Sequence, residues 1–198
     1  MKARSSLAAF TFFITLTTGC SMAHSDPHNP AKNPHPVKRY EVIATSYAPG
    51  PWDSITGYVH YDVINTKCVP VSPFIGAQNV PVTGIEIPMD RVDDHTWKGY
   101  FYRDALRDED YFNLGLCHWD VTSISVNTIG KGVRFGWGGM LGDLLRGSTG
   151  MSYFKRSSYG DNVLVPYGAQ VYPFSYPDVN KNKDAYFSVT IAVKEVKS

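Results

Sequence analysis

Regular alternation of apolar and polar residues near the C-terminus is the feature that most constrains how this chain can fold. Over residues 185–193 every second residue is apolar, and the residues between them are mostly polar. Successive side chains of a β-strand point to opposite faces, so this period predicts a strand with one buried and one hydrated face. Strands of this kind belong to antiparallel sheets, which cover one face with the core and leave the other in water.

Five other segments carry a similar pattern from residue 40 onward, separated by Gly, Pro, Asn and Asp. The predicted strands cover residues 55–63, 83–87, 96–102, 116–129 and 133–137. In the fourth of these segments the apolar positions change parity, which predicts a β-bulge or bend near Thr122 and Ser123. Short strands at regular intervals favour a single antiparallel β-sandwich over a closed barrel, so the expected fold class is mainly β.

Helical patterns are scarce, and one or two short helices are expected. Residues 103–110 are predicted to form a turn or two of helix, and residues 139–146 another. The residues of the second helix that are expected to face inward are Met140, Leu141, Leu144 and Leu145.

Cys68, Trp97 and Cys117 follow the Cys, Trp, Cys order of immunoglobulin domains. In those domains a tyrosine stands two residues before the second cysteine, but Gly115 occupies that place here. Cys68 also lies in a segment next to proline rather than in the middle of a strand. The sandwich is therefore expected to be immunoglobulin-like at most.

The N-terminus carries the pattern of a secretory signal. Lys2 and Arg4 precede an apolar run over residues 7–16, and small residues then lead to Cys20. This order resembles a bacterial lipoprotein signal, which is cleaved just before a cysteine that carries the lipid. It departs from that pattern at Thr17, where an apolar residue is usual.

We therefore expect three regions: a signal peptide over residues 1–19, the lipidated cysteine with a flexible tether over 20–39, and the β-sandwich domain over 40–198. The tether is rich in proline and lacks aromatic residues, which disfavours a packed structure. Loose metal binding by its histidines is an alternative to a solvated spacer; they are His24, His28 and His35. The expected location is the periplasm, at the outer membrane.

The charge balance excludes some classes of partner. Lys2 and Arg4 leave with the signal peptide, so the 19 basic residues fall to 17, against 18 acidic residues. Nucleic-acid binding needs a basic surface, and this balance does not supply one. It also provides no polybasic patch for a membrane surface, so the lipid is the expected means of attachment.

Cys68 and Cys117 form an even pair once Cys20 carries lipid, and the expected compartment is oxidising. We therefore predict one disulfide bond between them. A redox or metal-binding pair is the alternative, but the spacing is unlike that of a CxxC motif.

Two polar clusters are candidate functional sites. An acidic cluster precedes the second cysteine and consists of Asp104, Asp108, Glu109 and Asp110. It is predicted to contact a partner, with paired glycosidase carboxylates as the alternative. Oxygen side chains from Asp178 to Asp184 resemble the start of a calcium loop, but Lys183 stands where glycine is required. That segment is predicted to be a polar hairpin loop, and no metal or other cofactor is expected.

Aromatic and basic residues in and after the glycine-rich segment 130–150 are predicted to bind a protein partner, because Trp, Tyr and Arg are common interface anchors. They are Arg134, Trp137, Arg146 and Tyr153. The alternative for this segment is a core strand with a loop. No G-x-S-x-G or H-E-x-x-H motif occurs, and His60, His95 and His118 are scattered, so an enzyme is not expected.

Residues 108–119 resemble a pattern in small Gram-negative lipoproteins that protect cells against type VI secretion effectors. In those proteins an acidic turn and an aromatic pair lead into Gly-x-Cys-x-Trp, which is Gly115 to Trp119 here, with an earlier Cys-x-Pro at Cys68. The resemblance implies a periplasmic immunity protein that blocks a toxic enzyme. An envelope structural or secretion-assembly lipoprotein, and a periplasmic hydrolase or ligand-binding lipoprotein, are the alternatives.

Mass spectrometry of the membrane fraction tests the predicted anchor. We expect a chain that begins at Cys20, with added mass from acyl groups on that residue. A chain that keeps its leader and a free thiol at Cys20 would contradict the prediction.

Overall fold

The computed structural model describes residues 25–160 and 168–196, so Cys20 and the predicted signal peptide lie outside the described residues. Within these ranges, ten strands form two antiparallel sheets that pack as a β-sandwich, which confirms the predicted fold class. The larger sheet contains β1 (Arg39–Ser46), β4 (Asp90–Arg91), β5 (Thr96–Tyr102), β8 (Ser152–Lys155), β9 (Tyr172–Pro173) and β10 (Tyr186–Glu195). Its order is β4-β5-β1-β10-β8-β9. The smaller sheet has the order β3-β2-β6-β7 and contains β2 (Ser54–Val63), β3 (Val82–Pro88), β6 (Trp119–Gly130) and β7 (Val133–Met140).

The six strands predicted from alternation are all present. The predicted bulge is also confirmed, because His60 pairs with Ser123 while Tyr61 pairs with Val121, which leaves Thr122 without a partner residue on β2. This extra residue shifts the inward positions of β6 from odd to even numbers, so that both halves of the strand bury apolar side chains.

One core fills the space between the two sheets. Its centre is aliphatic, with Val42, Val59, Ile124 and Ile191 fully buried. Aromatic rings extend the core towards one end, where Phe135 packs edge-on against Phe154 and Trp52 with ring centroids 5.1 Å and 5.0 Å apart. Trp137 closes this layer by donating a hydrogen bond from Nε1 to the carbonyl oxygen of Thr190, 3.0 Å away on the other sheet.

The two predicted helices have different outcomes. Residues 103–110 contain no helix, so that prediction is wrong; single β-bridges join Leu106 to Lys32 and Glu109 to Cys117 instead. Acidic side chains here accept hydrogen bonds from backbone amides, and such bonds compete with helix formation.

The second predicted helix is confirmed as α1 (Leu141–Leu145), and a further short helix, α2 (Pro177–Lys181), precedes β10. Leu141 and Leu144 are buried as predicted, whereas Met140 and Leu145 are exposed. Five residues make little more than one turn, so only a narrow face can reach the core. In the part of the chain that the structure describes, no helix has the length and apolar character needed to cross a membrane.

Residues 25–38 belong to the predicted flexible tether, yet they lie against the connection between β5 and β6. The backbone amide of Asn33 donates to the carbonyl oxygen of Ala105 at 2.8 Å, and that of Arg107 donates to Ala31 at 2.9 Å. Asp104 accepts further bonds from the amides of Val37 and Lys38. The structure therefore attaches this part of the segment to the domain through polar contacts, without an apolar core of its own.

The sandwich has two distinct ends. At the N-terminal end, residues 25–38 meet the β2–β3 and β5–β6 connections, because the start of β1 pairs with the end of β5. At the opposite end lie the β1–β2 connection, the β4–β5 hairpin and α2.

Cys68 and Cys117 form the predicted disulfide, with their Cα atoms 5.3 Å apart. The bond joins the β2–β3 connection to the β5–β6 connection at the N-terminal end. In immunoglobulin domains the conserved disulfide instead crosses between the two sheets. The sandwich therefore lacks that immunoglobulin feature.

Loss of the disulfide should destabilise the domain. The two cysteines are 49 residues apart in sequence, so the disulfide restricts a long loop in the unfolded chain. The Cys68→Ala, Cys117→Ala double variant should therefore lose up to about 4 kcal/mol of unfolding free energy. The melting temperature in oxidising buffer should fall by roughly 5–15 °C. Reduced wild-type protein is the matched control and should melt with the variant; an unchanged melting temperature for both would contradict this role.

Candidate functional site

The acidic cluster predicted to contact a partner is bound internally. Asp108 accepts a hydrogen bond from the backbone amide of Trp119 at 3.0 Å, and Asp110 accepts bonds from the amides of Leu114 and Gly115. Glu109 accepts bonds from Ser25 and from the guanidinium of Arg107. These carboxylates therefore hold the irregular segments at the N-terminal end.

Asp104 has the most defined of these roles. Its two carboxylate oxygens accept bonds from the amides of Val37 and Lys38, at 3.0 Å and 2.9 Å. Burial tends to raise the pKa of Asp104, but the two backbone hydrogen bonds outweigh it and hold that pKa below its usual value. The ionised carboxylate thus fixes the residues that lead into β1.

A polar cleft of about 570 Å³ lies beside this cluster. Arg103 crosses it and makes two hydrogen bonds of 2.6 Å to the carboxylate of Asp120 on β6, which links the two sheets. Tyr61 adds a second link between the sheets by donating to the carbonyl oxygen of Tyr102 at 2.6 Å. The cleft therefore contains charged groups that already pair with each other.

His118 lies next to the carboxylate of Asp108, with Nδ1 and Oδ2 2.7 Å apart. A carboxylate that orients a histidine is one part of a hydrolytic triad. Within the described ranges, no serine, threonine or cysteine forms a hydrogen bond with the imidazole of His118. The pair alone supplies a histidine base without an adjacent nucleophile.

The other predicted partner-binding residues lie in separate places. Trp137 is only 3% exposed, so it is a core residue and cannot anchor a partner, which corrects that prediction. Arg134 lies on the outer face of the smaller sheet, and Arg146 follows α1, where it pairs with Asp143 at 2.5 Å. Only Tyr153 lies among other exposed aromatic residues.

These aromatic residues occupy the opposite end of the sandwich from the disulfide. Tyr47 is 53% exposed and Phe174 is 58% exposed, and they line a cleft of about 270 Å³ together with Tyr153. The rings of Tyr153 and Phe174 have centroids 6.1 Å apart. We name this region the aromatic-basic surface and define it as Tyr47, His95, Tyr153, Arg156, Phe174 and Lys183.

Local contacts fix the residues of the aromatic-basic surface. The ring of Tyr47 packs on that of His95 with centroids 4.9 Å apart, and Nδ1 of His95 lies 3.0 Å from the carbonyl oxygen of Ser46. In the part of the chain that the structure describes, neither Arg156 nor Lys183 forms an ion pair. The surface thus combines positioned rings with two cations that remain available to an acidic group.

The segment 178–184, predicted to be a hairpin loop, lies next to this surface and contributes Lys183 to it. Asp178 lies in α2, where its carboxylate accepts hydrogen bonds from Asn182 at 2.5 Å and from the Tyr186 hydroxyl at 2.6 Å. These bonds lower the pKa of Asp178, and the carboxylate raises the pKa of Tyr186 to about 12. Asp178 is therefore engaged in fixing the start of β10, and the loop contains helical turns rather than a hairpin.

A second cleft of about 400 Å³ adjoins the aromatic-basic surface at His95, and Ser46 and Asp94 also line it. This set contains the residue types of a hydrolytic triad. However, the hydroxyl of Ser46 is buried without a hydrogen-bond partner among the described residues, and His95 uses Nδ1 on the Ser46 carbonyl. Asp94 pairs with Arg91 at 2.7 Å instead. The three groups therefore lack the connected geometry of nucleophile, base and orienting acid.

Across residues 25–160 and 168–196, no group of three or more His, Cys, Asp or Glu side chains is placed to hold a metal ion.

Sequence reasoning missed Tyr47, His95, Phe174 and Lys183 as members of one surface. The sequence from Tyr172 to Pro177 does contain a signal, because aromatic residues alternate there with proline and serine. Proline confines such a segment to the edge of a sheet, where Tyr172 is buried and Phe174 and Tyr176 are exposed.

Comparison with protein-family models, with curated proteins and with solved structures finds no match to this chain.

The role of Asp104 can be tested by hydrogen exchange. Asp104→Ala removes a charged acceptor, so exchange at Val37 and Lys38 should accelerate at least about tenfold at neutral pH. In wild-type protein the pKa of Asp104 is lowered by folding, so its contribution is present above about pH 4 and is lost as pH falls through the folded pKa.

Asp94→Ala provides the matched control, because it removes an exposed surface ion pair with Arg91. Exchange at residues 37 and 38 should be unchanged in that variant. Unchanged exchange in Asp104→Ala would show that the carboxylate does not hold the segment.

Proposed function

We propose that this protein is a lipid-anchored protein of the periplasm that binds a secreted effector through the aromatic-basic surface and blocks its activity. The observation that carries the proposal is the group of positioned rings at one end of a disulfide-linked sandwich, beside Arg156 and Lys183, which form no ion pair with the described residues. Exposed tyrosine, phenylalanine and arginine in a shallow cleft are typical of protein interfaces. The resemblance of residues 108–119 to immunity lipoproteins supports an effector as the partner.

The charge of the surface defines the kind of partner. Arg156 and Lys183 lie beside the aromatic cleft, while the nearby carboxylate of Asp178 is engaged by Tyr186 and Asn182. A complementary partner therefore presents carboxylates around an apolar protrusion that fits the cleft. In this proposal the acidic cluster fixes the N-terminal end and the aromatic-basic surface makes the contact.

Blocking by occlusion requires only stoichiometric binding. A rigid surface loses little conformational entropy on association. The short connections of this end are tied by the contact of His95 with the Ser46 carbonyl oxygen and by the hydrogen bond that Asp178 accepts from Tyr186. An envelope-assembly role would use the same surface with a structural partner. The identity of the captured protein separates these two functions.

Binding of a purified partner to surface variants tests the proposal. The partner is first isolated from periplasm with the full mature protein and identified. Phe174→Asp and Tyr47→Ala should each weaken the dissociation constant by about 30-fold or more, as expected for interface anchors. Arg134→Ala, on the outer face of the smaller sheet, is the matched control and should change it less than about threefold.

The same variants should fail to inhibit the partner's enzymatic activity in a one-to-one titration, whereas wild-type protein should abolish it. Equal affinity for all variants would place the contact elsewhere. A partner that lacks toxic activity would favour the assembly function.

The His118–Asp108 pair favours a second candidate, a periplasmic hydrolase that uses the cleft of about 570 Å³. This function predicts turnover of a small substrate that His118→Ala abolishes. Under the binding function, His118→Ala leaves partner affinity unchanged.

A further inference from the structure

Exposed apolar side chains gather at the N-terminal end of the sandwich. Phe74 is 95% exposed and Ile75 is 77% exposed, at the tip of the β2–β3 connection. Others surround the disulfide on both of the connections it joins. We name this group the apolar rim and define it as Ile64, Val71, Phe74, Ile75, Leu114 and Leu116.

The tip that carries Phe74 is a structured turn. The amide of Ser72 donates to the carbonyl oxygen of Ala77 at 2.8 Å, and that of Gly76 donates to Ser72 at 2.9 Å. The side chain of Gln78 ties the base of the turn to the carbonyl oxygen of Val69 at 2.6 Å. These bonds hold the two apolar side chains away from the core, although burial there would be favourable.

Hydrogen bonds also fix the second part of the apolar rim, which contains Leu114 and Leu116. The carboxylate of Asp110 accepts bonds from the amides of Leu114 and Gly115, which shapes the loop before Cys117. The side chain of Asn65 donates to the carbonyl oxygen of Leu116 at 2.7 Å, so this loop is fixed to the β2–β3 connection. The disulfide joins the same two segments.

Charge is absent from the stretches that carry five of the six residues of the apolar rim, whereas Ile64 lies three residues before Lys67. Residues 68–85 and residues 111–117 contain no Asp, Glu, Lys or Arg. Phe, Ile, Leu and Val are the side chains that transfer most favourably into a bilayer, whereas Leu and Val are under-represented among the anchors of protein interfaces. The composition of the apolar rim therefore suits lipid better than protein, in contrast to the aromatic-basic surface.

The path of the chain brings the predicted anchor to the same end. Ser25 donates a hydrogen bond to Glu109, and Glu109 pairs with Cys117 beside the apolar rim. Cys20 is only five residues before Ser25 in the sequence. Five residues span at most about 18 Å, so a lipid on Cys20 would hold this end within that distance of the bilayer surface.

We propose that the apolar rim inserts into the interface of the lipid bilayer and orients the domain on the membrane. The occupant is the headgroup and upper acyl-chain region of the leaflet that holds the anchor. The apolar side chains add a second, non-covalent attachment to the lipid on Cys20, and two attachments restrict rotation where one does not. The aromatic-basic surface then faces away from the membrane, where a soluble partner reaches it.

This inference rests on the predicted lipid at Cys20 and is independent of partner binding. Its test uses the full mature lipoprotein reconstituted into vesicles of phosphatidylethanolamine and phosphatidylglycerol, with or without brominated acyl chains. Phe74→Trp places a fluorophore on the apolar rim, and Phe174→Trp places a matched one on the opposite end. Both positions are exposed, so neither substitution disturbs the core.

After subtraction of wild-type emission, the fluorescence added by Phe74→Trp should shift to shorter wavelength and be quenched by brominated lipid. The fluorescence added by Phe174→Trp should not change. Quenching of neither tryptophan, or equal quenching of both, overturns the proposal.

One other outcome also overturns it. If a partner protein covers the apolar rim, the emission from Phe74→Trp will respond to that protein and not to brominated lipid. Loss of effector binding in Phe174→Asp remains separate, because that variant leaves the apolar rim intact.

Discussion

Hydrogen bonding of backbone amides by carboxylates is the constraint on which the N-terminal end of this molecule depends. Residues 25–38 and 103–118 are largely irregular, yet their amides require partners once the surrounding strands exclude water. Asp104, Asp108 and Asp110 provide acceptors for amides that no strand pairs. Because these amides include the entry to β1 and the entry to β6, one acidic segment sets the start of a strand in each sheet. The disulfide closes the same region from the other side.

The two ends of the sandwich have different surface chemistry. At the N-terminal end, residues 68–85 and 111–117 expose aliphatic side chains and phenylalanine and carry no charge. The carboxylates of Asp104, Asp108 and Asp110 at this end accept hydrogen bonds within the domain. The opposite end exposes tyrosine, phenylalanine and cations. A sandwich separates its two ends by the length of its strands, and β2 and β10 each have ten residues, which is about 33 Å. The fold can therefore contact two unlike environments without either one reaching the other.

Alternation predicted most of the strands because one buried face per sheet imposes a period of two, and the parity change after Val121 located the bulge. The disulfide followed from the count of cysteines.

The sequence did not reveal that residues 25–38 dock on the domain, since polar contacts leave no periodic pattern. For the same reason the sequence does not show that the acidic cluster accepts hydrogen bonds from backbone amides of the domain. The prediction for Trp137 is wrong because a tryptophan suits both an inward position of β7 and an interface anchor, and the sequence does not distinguish them. The members of the aromatic-basic surface come from distant parts of the chain, and the strand order β1-β10-β8-β9 brings Tyr47 near Phe174.

The position of β1 has a consequence for the order in which the larger sheet can form. β1 lies between β5 and β10, so the first strand to be synthesised has its second neighbour in the last. The larger sheet cannot be completed until residues 186–195 are available, which makes its closure a late event dominated by contacts between distant residues. Truncation within the final strand would leave β1 with an open edge, which is the usual starting point for aggregation.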